Sequence, residues 1–361
     1  MHLHRKIILL AGVLILFCLG LSCNNSNHQK TDFKIISIKI DGYENAGLTL
    51  YQLQNDSLLL LDSALIRKSS AVLVGKIEQP QLLYAFINGL NDYIPVFVDD
   101  EKTEILVNTR RPDRSEVLGS ETHSKFIDFL QSFAVYNDKM LHLKKQFDEA
   151  LQNKDMIIVK QIDSTKQILE SEKLMFLKKY VSSNNHSIIS AYVLQQYLIW
   201  MLKPGEINLL YKNFYSEVKD SYYGKEISTF LEQQRKLDIG KPLPPQLSYY
   251  IPDSVKVLKG RFLVGLFNPY LFNLESTMLD FSRTIDLNTQ NKEGYNYILF
   301  MPPSGNLRYV NMKKVYIIEL PANLLLKIYS QLGLKEFPVF IKTDNQFIIS
   351  QKYNLTELIL L

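Results

Sequence analysis

Between residues 33 and 109, seven apolar runs recur at intervals of about ten residues, and that rhythm limits what the N-terminal third of the chain can fold into. The runs are "FKIISIKI", "LTLYQL", "SLLLLDSA", "SAVLVGKI", "LLYAFIN", "YIPVFVDD" and "TEILVNT", separated by Asn, Asp, Gly and Pro. In the first, Ile36, Ile38 and Ile40 fall on one face and Ser37 and Lys39 on the other, the period of two that marks a half-buried strand. Short strands at this spacing predict an antiparallel β sandwich or barrel. Pro112 closes the segment.

The period then changes. Phe126, Phe129, Leu130 and Phe133 stand at i, i+3, i+4 and i+7, one apolar helix stripe. Ile158, Ile162, Ile168, Leu169 and Met175 predict a second stripe. "SIISAYVLQQYLIWML" predicts a mostly buried helix ended by Pro204-Gly205. "EINLLYKNFYSEV" and "KEISTFLEQQRKL" complete the helical segment. After "IGKPLPP", strands "RFLVGLF", "YNYILFM" and "KVYIIEL" alternate with helices, one carrying Leu274, Met278, Phe281 and Ile285 and one reading "NLLLKIYSQLG". "EFPVFIKTDNQFIIS" then predicts two strands around a turn. Strands alternating with helices and ending in a hairpin predict an α/β sheet domain. The whole is expected to be an α+β multidomain protein, with a β domain over 32–112, a helical segment over 113–236 and a sheet domain over 237–361.

The N-terminus, "MHLHRKIILLAGVLILFCLGLSCNN", joins a basic start to an apolar run from Ile7 to Leu21 and a cysteine, Cys23. The run is short for a spanning helix, which needs about 20 residues. It resembles a bacterial lipoprotein signal, with residues 1–22 removed, Cys23 lipidated on sulfur, and 23–31 serving as a polar tether. The resemblance implies an envelope protein attached to the membrane through lipid, and Asn24 after the cysteine implies the outer membrane facing the periplasm. The alternative is an uncleaved membrane anchor.

Cysteine counting follows from this. Cys18 and Cys23 are the two cysteines of the chain; one lies in the signal and the other takes the lipid. The expected mature protein has no free thiol, and thiol–disulfide exchange needs a thiolate. Arg5 and Lys6 are the only charged residues before Cys23, so a formal charge of +4 falls to +2 in the mature chain. Acids and bases are interspersed, which argues against nucleic acid as a partner.

No local chemistry stands out. His28, His123, His142 and His186 are far apart and in no metal-ligand spacing; they are expected on helix surfaces or loops, with no metal. No G-x-S-x-G, G-x-G-x-x-G or P-loop pattern is present. "VDDE", Val98 to Glu101, gathers three acids and reads as a hairpin turn, the alternative being a cation site. Tyrosine-rich stretches such as "NPYLFN" suit either sheet edges or interfaces.

Four stretches carry a resemblance. "LLDSALIRKSSAVLVGKIEQPQLLYAFI" and "VLGSETHSKFIDFLQSF" are similar to a β domain of unknown function and the helical segment that follows it, with the usual turn glycine replaced near Ser69-Ser70. "DIGKPLPPQL" and "GLKEFPVFIKTDNQFIIS" are similar to the start and the end of a thioredoxin-like domain. Together they resemble lipoproteins with a C-terminal TlpA-like or AhpC/TSA-like thiol–disulfide oxidoreductase domain. The resemblance implies that Pro338 is the candidate cis-proline that precedes the strand facing a substrate peptide. It also implies that the loop after Phe267 takes the place of the Cys-x-x-Cys loop, yet both cysteines are missing there. A redox-inactive, non-catalytic domain without cofactor is therefore expected, with Tyr270, Phe272, Phe337 and Pro338 forming a loop that binds a protein or peptide. The alternatives are a thiol oxidoreductase by family resemblance alone, an enzyme with a non-thiol site, and a purely structural lipoprotein.

Overall fold

The computed structural model describes residues 33–54, 57–99, 102–267, 295–303, 314–334 and 338–354. Their contacts divide into two compact units, Met1–Ile127 and Asp128–Leu361.

The first unit is a sandwich of two four-stranded sheets. Its strands are β1 (Phe33–Lys39), β2 (Gly47–Gln54), β3 (Ser57–Leu65), β4 (Ser70–Lys76), β5 (Gln81–Ile87), β6 (Ile94–Val98), β7 (Lys102–Leu106) and β8 (Glu116–Leu118). One sheet runs β4-β1-β7-β8 and the other β3-β2-β5-β6. Ile36, Ile38 and Leu73 of the first meet Leu48, Leu50, Leu83 and Val96 of the second in one core. The period-two pattern of "FKIISIKI" is the cause, since alternation puts every second side chain between the sheets. One pairing departs from an all-antiparallel sandwich: β1 and β7 run parallel. They are joined through five intervening strands rather than a hairpin, so no tight turn forces them to oppose. The short strand β8, which the sequence pattern did not announce, completes that sheet against β7.

The turn from β3 to β4 is a two-residue connection in which Arg67 and Ser70 exchange backbone hydrogen bonds. Lys68 and Ser69 both take positive φ, 50° and 57°. This is the geometry of a type I′ hairpin turn, which favours Asn-Gly, and it falls where the resemblance expects a glycine.

The second unit starts within helix α1 (Glu121–Gln152), which turns back into α2 (Met156–Ser183). Asp155 caps α2, accepting from the amides of Ile157 and Ile158. Phe129, Phe133, Phe176, Tyr180 and Tyr197 interlock between the helices, Phe129 and Tyr180 at 4.9 Å. The buried stripe of α2 is Ile162, Leu169, Leu177 and Val181. Ile158, Ile168 and Met175, expected on that stripe, are 44%, 62% and 63% exposed instead. The next helix, α3 (Ile188–Gln196), is buried as expected but ends before Pro204; a 3-10 turn follows, and Pro204 opens α4 (Pro204–Lys212). Proline is well placed there because the first helical N–H has no intrahelical partner. Helices α5 (Ser216–Lys219) and α6 (Tyr222–Arg235) follow, then two single-turn helices, α7 (Pro245–Ser248) and α8 (Asp253–Lys256).

The same unit holds a five-stranded sheet of β9 (Arg261–Leu266), β10 (Tyr295–Met301), β11 (Val315–Glu319), β12 (Val339–Thr343) and β13 (Ile349–Asn354). Its order is β11-β10-β9-β12-β13. β9, β10 and β11 are parallel, β12 runs against them, and β13, antiparallel to β12, runs with them again. Helix α9 (Ala322–Gln331) connects β11 to β12. Leu325, Ile328 and Tyr329 of α9 pack with Phe262, Val264 and Leu266 and with Leu243, Leu247 and Ile251 of the lead-in segment. Leu263, Phe267, Leu299, Met301 and Phe340 form a second core. Strands buried on both faces explain why these runs are continuously apolar rather than alternating. The chain is thus an α+β multidomain protein.

Candidate functional site

The strand-to-loop junction expected to carry function lies at the carboxyl end of β9, the middle strand of the five. Gly265 lets the strands close there: a Cβ on it would meet Leu299 at 2.9 Å and Phe340 at 3.0 Å. Phe267 follows, fully buried, its ring edge-on to Phe340 at 5.9 Å. Its amide donates to the carbonyl of Phe300 at 3.1 Å. Its carbonyl accepts from the phenol of Tyr329 at 2.8 Å. Both backbone groups of Phe267, the last described residue before 268–294, are therefore satisfied inside the protein.

Pro338 is buried and stands directly before β12. Because Val339 pairs with Leu266, the register sets Pro338 across from Phe267. The two positions that the resemblance pairs are neighbours in the sheet. Cys23, Tyr270, Phe272 and Phe337 lie outside the described residues, as does the helix expected through Leu274, Met278, Phe281 and Ile285.

The chemistry available at the described part of the junction is that of a buried phenol. Burial pushes Tyr329 well above the ordinary tyrosine range, so it stays protonated and donates its one hydrogen to Phe267. A phenol held in that way positions a strand end; it does not take a proton from a substrate. Tyr297, in the second core, is raised by burial as well.

Sequence reasoning missed a polar cluster in the first unit. His123, expected on a surface, is 3% exposed. It sits in the first turn of α1, where Ser120 caps the helix by accepting from the His123 amide at 3.0 Å. The carboxylate of Asp99 accepts from the amide of Thr122 at 2.8 Å, and both the Ser120 and Thr122 hydroxyls bond to it. Burial works against that carboxylate, but the hydrogen bonds outweigh it and hold Asp99 below its usual range. Asp99, in the connection between β6 and β7, thus closes a helix N-terminus, an arrangement favoured by the unpaired amides there; Asp100 and Glu101 lie outside the described residues.

The ring of His123 reaches back to β6, whose outer edge is open in the sheet order. Its Nδ1 accepts from the amide of Phe97 at 3.3 Å. Burial lowers the imidazole to about 4, the charge of Asp99 opposing, so the ring is neutral with its proton on Nε2. Ser, His and Asp are close together here, but the connections differ from a nucleophilic triad, in which a carboxylate orients the imidazole. Nδ1 takes a backbone N–H, and the Ser120 oxygen serves a backbone amide. The cluster covers a sheet edge and caps a helix. The one signal for it was the helix-start pattern "SETH", Ser120 followed by the first turn. His142 and His186 are exposed, and among the described residues no three His, Cys, Asp or Glu side chains converge as metal ligands would.

Comparison with known proteins finds one family model, described as a domain of unknown function (DUF4369), over residues 35–126. The matched span is the sandwich and the first turn of α1, including Asp99, Ser120 and His123. It fits the β domain of unknown function that the sequence resembled. No curated protein matches the chain, and no solved structure does.

Proposed function

We propose that this chain is a lipid-anchored envelope protein whose C-terminal sheet is a redox-inactive, thioredoxin-like domain that binds a protein or peptide. The observation that carries the reading is the junction of Phe267 and Pro338. Three parallel strands are followed by an antiparallel pair, and the hairpin strand that begins at Pro338 runs beside the carboxyl end of β9. In the resembled proteins this is where a cysteine loop and a proline-led strand face a substrate peptide. Here the cysteines of the whole chain are Cys18 and Cys23, so a thiol mechanism at this end of the sheet has no nucleophile. What the position retains is a strand end held by Tyr329, followed in the sequence by Tyr270 and Phe272. Aromatic residues in such a place suit contact with a partner, giving a large apolar area with a polar tip.

Cys23 is the proposed lipid attachment, and the outer membrane facing the periplasm is the proposed location. Fold inheritance by itself does not carry activity, and the missing thiols support the non-catalytic reading. Insulin-reduction and peroxide-consumption assays on the full chain test it. The expected result is no turnover above background; turnover abolished by a point substitution would overturn the non-catalytic reading.

A further inference from the structure

Three consecutive leucines at the start of β3, Leu58, Leu59 and Leu60, are 51%, 48% and 51% exposed. They lie at one particular end of the sandwich. Residues 66–69 carry β3 over into β4, so Leu65 and Ser70 share one end and Ser57 is at the other. Asp62 fixes the level between the two strands, its carboxylate accepting from the amide of Val74 at 2.8 Å. Leu60 is two residues from Asp62 toward the Ser57 end, as Lys76 is from Val74, and Lys76 pairs with Phe33. The leucines therefore stand beside and beyond the residue at which β1 starts.

Strand alternation sends Leu59 to one face of the hairpin and Leu58 and Leu60 to the other. Leu53 and Tyr51 stand opposite Leu58 and Leu60, so that face is apolar without a gap. Leu59 stands opposite Gln52, on the face that carries the core residue Leu83, and is half-exposed all the same. The reason is the reach of the hairpin. Pairing of β2 with β5 stops at Gln52 and Leu83, whereas β2 and β3 stay paired as far as Gln54 and Ser57.

A hairpin end that is apolar on both faces selects an occupant able to surround it. A groove in a protein covers one face and leaves the other in water, while the interfacial layer of a bilayer covers both. The chain itself brings that layer close. Residues 24–32 separate Phe33 from Cys23, so with Cys23 lipidated this end of β1 stays within about 35 Å of the membrane even at full extension. A flexible tether of that length averages about 17 Å. We infer that Leu58, Leu59 and Leu60 dip into the lipid surface to which the chain is anchored, a contact that rests on the reading of Cys23 as the lipid attachment. The contact is shallow. β3 is the last strand of its sheet, and its outer backbone groups need water or headgroups, which hydrocarbon does not supply.

The test uses the full lipidated chain in vesicles of zwitterionic lipid. With the signal removed and Cys23 blocked by lipid, no cysteine remains, so Leu58→Cys, Leu59→Cys and Leu65→Cys each give a single thiol for a fluorescent label. Leu65 ends the same strand at the far end of the sandwich and is 52% exposed, which makes it the reference. Lipids carrying a nitroxide about 5–10 Å below the headgroups should quench labels at 58 and 59 about threefold more than the label at 65. Mass measurement of the N-terminal peptide from the same samples reads the lipid on Cys23 independently. Lipid present with equal quenching at all three positions overturns the inference and leaves the anchor standing. Quenching at 58 or 59 alone marks a one-sided contact and overturns it too. An N-terminal peptide without lipid overturns the anchor, and the inference with it.

Discussion

The phenol of Tyr329 on α9 donates a 2.8 Å hydrogen bond to the carbonyl of Phe267, the residue at which β9 gives way to residues 268–294. Both residues are buried. A carbonyl left without its donor in such a place costs about 1–3 kcal/mol. Tyr329→Phe is therefore expected to destabilise the C-terminal unit by that amount, read as a lower urea midpoint with an unchanged slope. An unaltered midpoint would mean that the bond does not hold the strand end.

The imidazole of His123 predicts an acid-sensitive sandwich. Its folded value is about 4 against an ordinary 6.5, so the unfolded chain binds the proton more readily between those limits. The stabilising contribution is complete above pH 6.5, falls as the pH drops, and is lost by about pH 4, a total of about 3 kcal/mol. Asp99 is depressed below 3.8, so its own loss comes at lower pH and is separable. Urea midpoints of the N-terminal unit at steps from pH 7 to 4 check this. His123→Gln should flatten the slope across that window.

The β3–β4 turn holds Ser69 at φ 57° without a glycine. Left-handed backbone costs a residue with a Cβ about 1 kcal/mol or more. Ser69→Gly is expected to stabilise the first unit by about 0.5–1 kcal/mol, seen as a rise in its thermal midpoint.

Gly119 is the opposite case. It takes φ 78°, and a Cβ there would lie 2.5 Å from the carbonyl oxygen of Lys102. Backbone cannot swing aside as a side chain can, and Gly119 leads directly into Ser120 and the His123 cluster. Gly119→Ala should cost about 2–4 kcal/mol and shift the same pH-dependent transition.

On α2 the neighbours Ile168 and Leu169 differ sharply, the first 62% exposed and the second 5%. Leu169→Ala is expected to cost about 2–5 kcal/mol, and Ile168→Ala less than about 0.5 kcal/mol. Parallel denaturation of the two variants measures the contrast.

That last pair shows what the sequence could and could not convey. Strand positions in the sandwich were legible because alternation is local: Ile36 and Ile38 declare their face within three residues. The parallel β9-β10 pair and the final hairpin were legible as apolar runs of strand length separated by turns. The face of α2 was not, because its apolar residues exceed what one stripe holds, and only packing against α1 and α3 selects among them. His123 was misjudged for a related reason. Its burial depends on the edge of β6 folding beneath a helix start, a contact across 26 residues. At the junction itself, Pro338 was found through resemblance, while Tyr329 gave no signal, being one more half-turn of an amphipathic helix until β9 is laid beneath it.

The central claim is that the end of β9 binds a partner and does no chemistry. Photocrosslinking in cells from position 272 of the full chain, with and without Tyr270→Ala, tests it most directly. The account predicts one dominant protein or peptide adduct that Tyr270→Ala abolishes. Diffuse labelling, or a dominant adduct that Tyr270→Ala leaves unchanged, would contradict it.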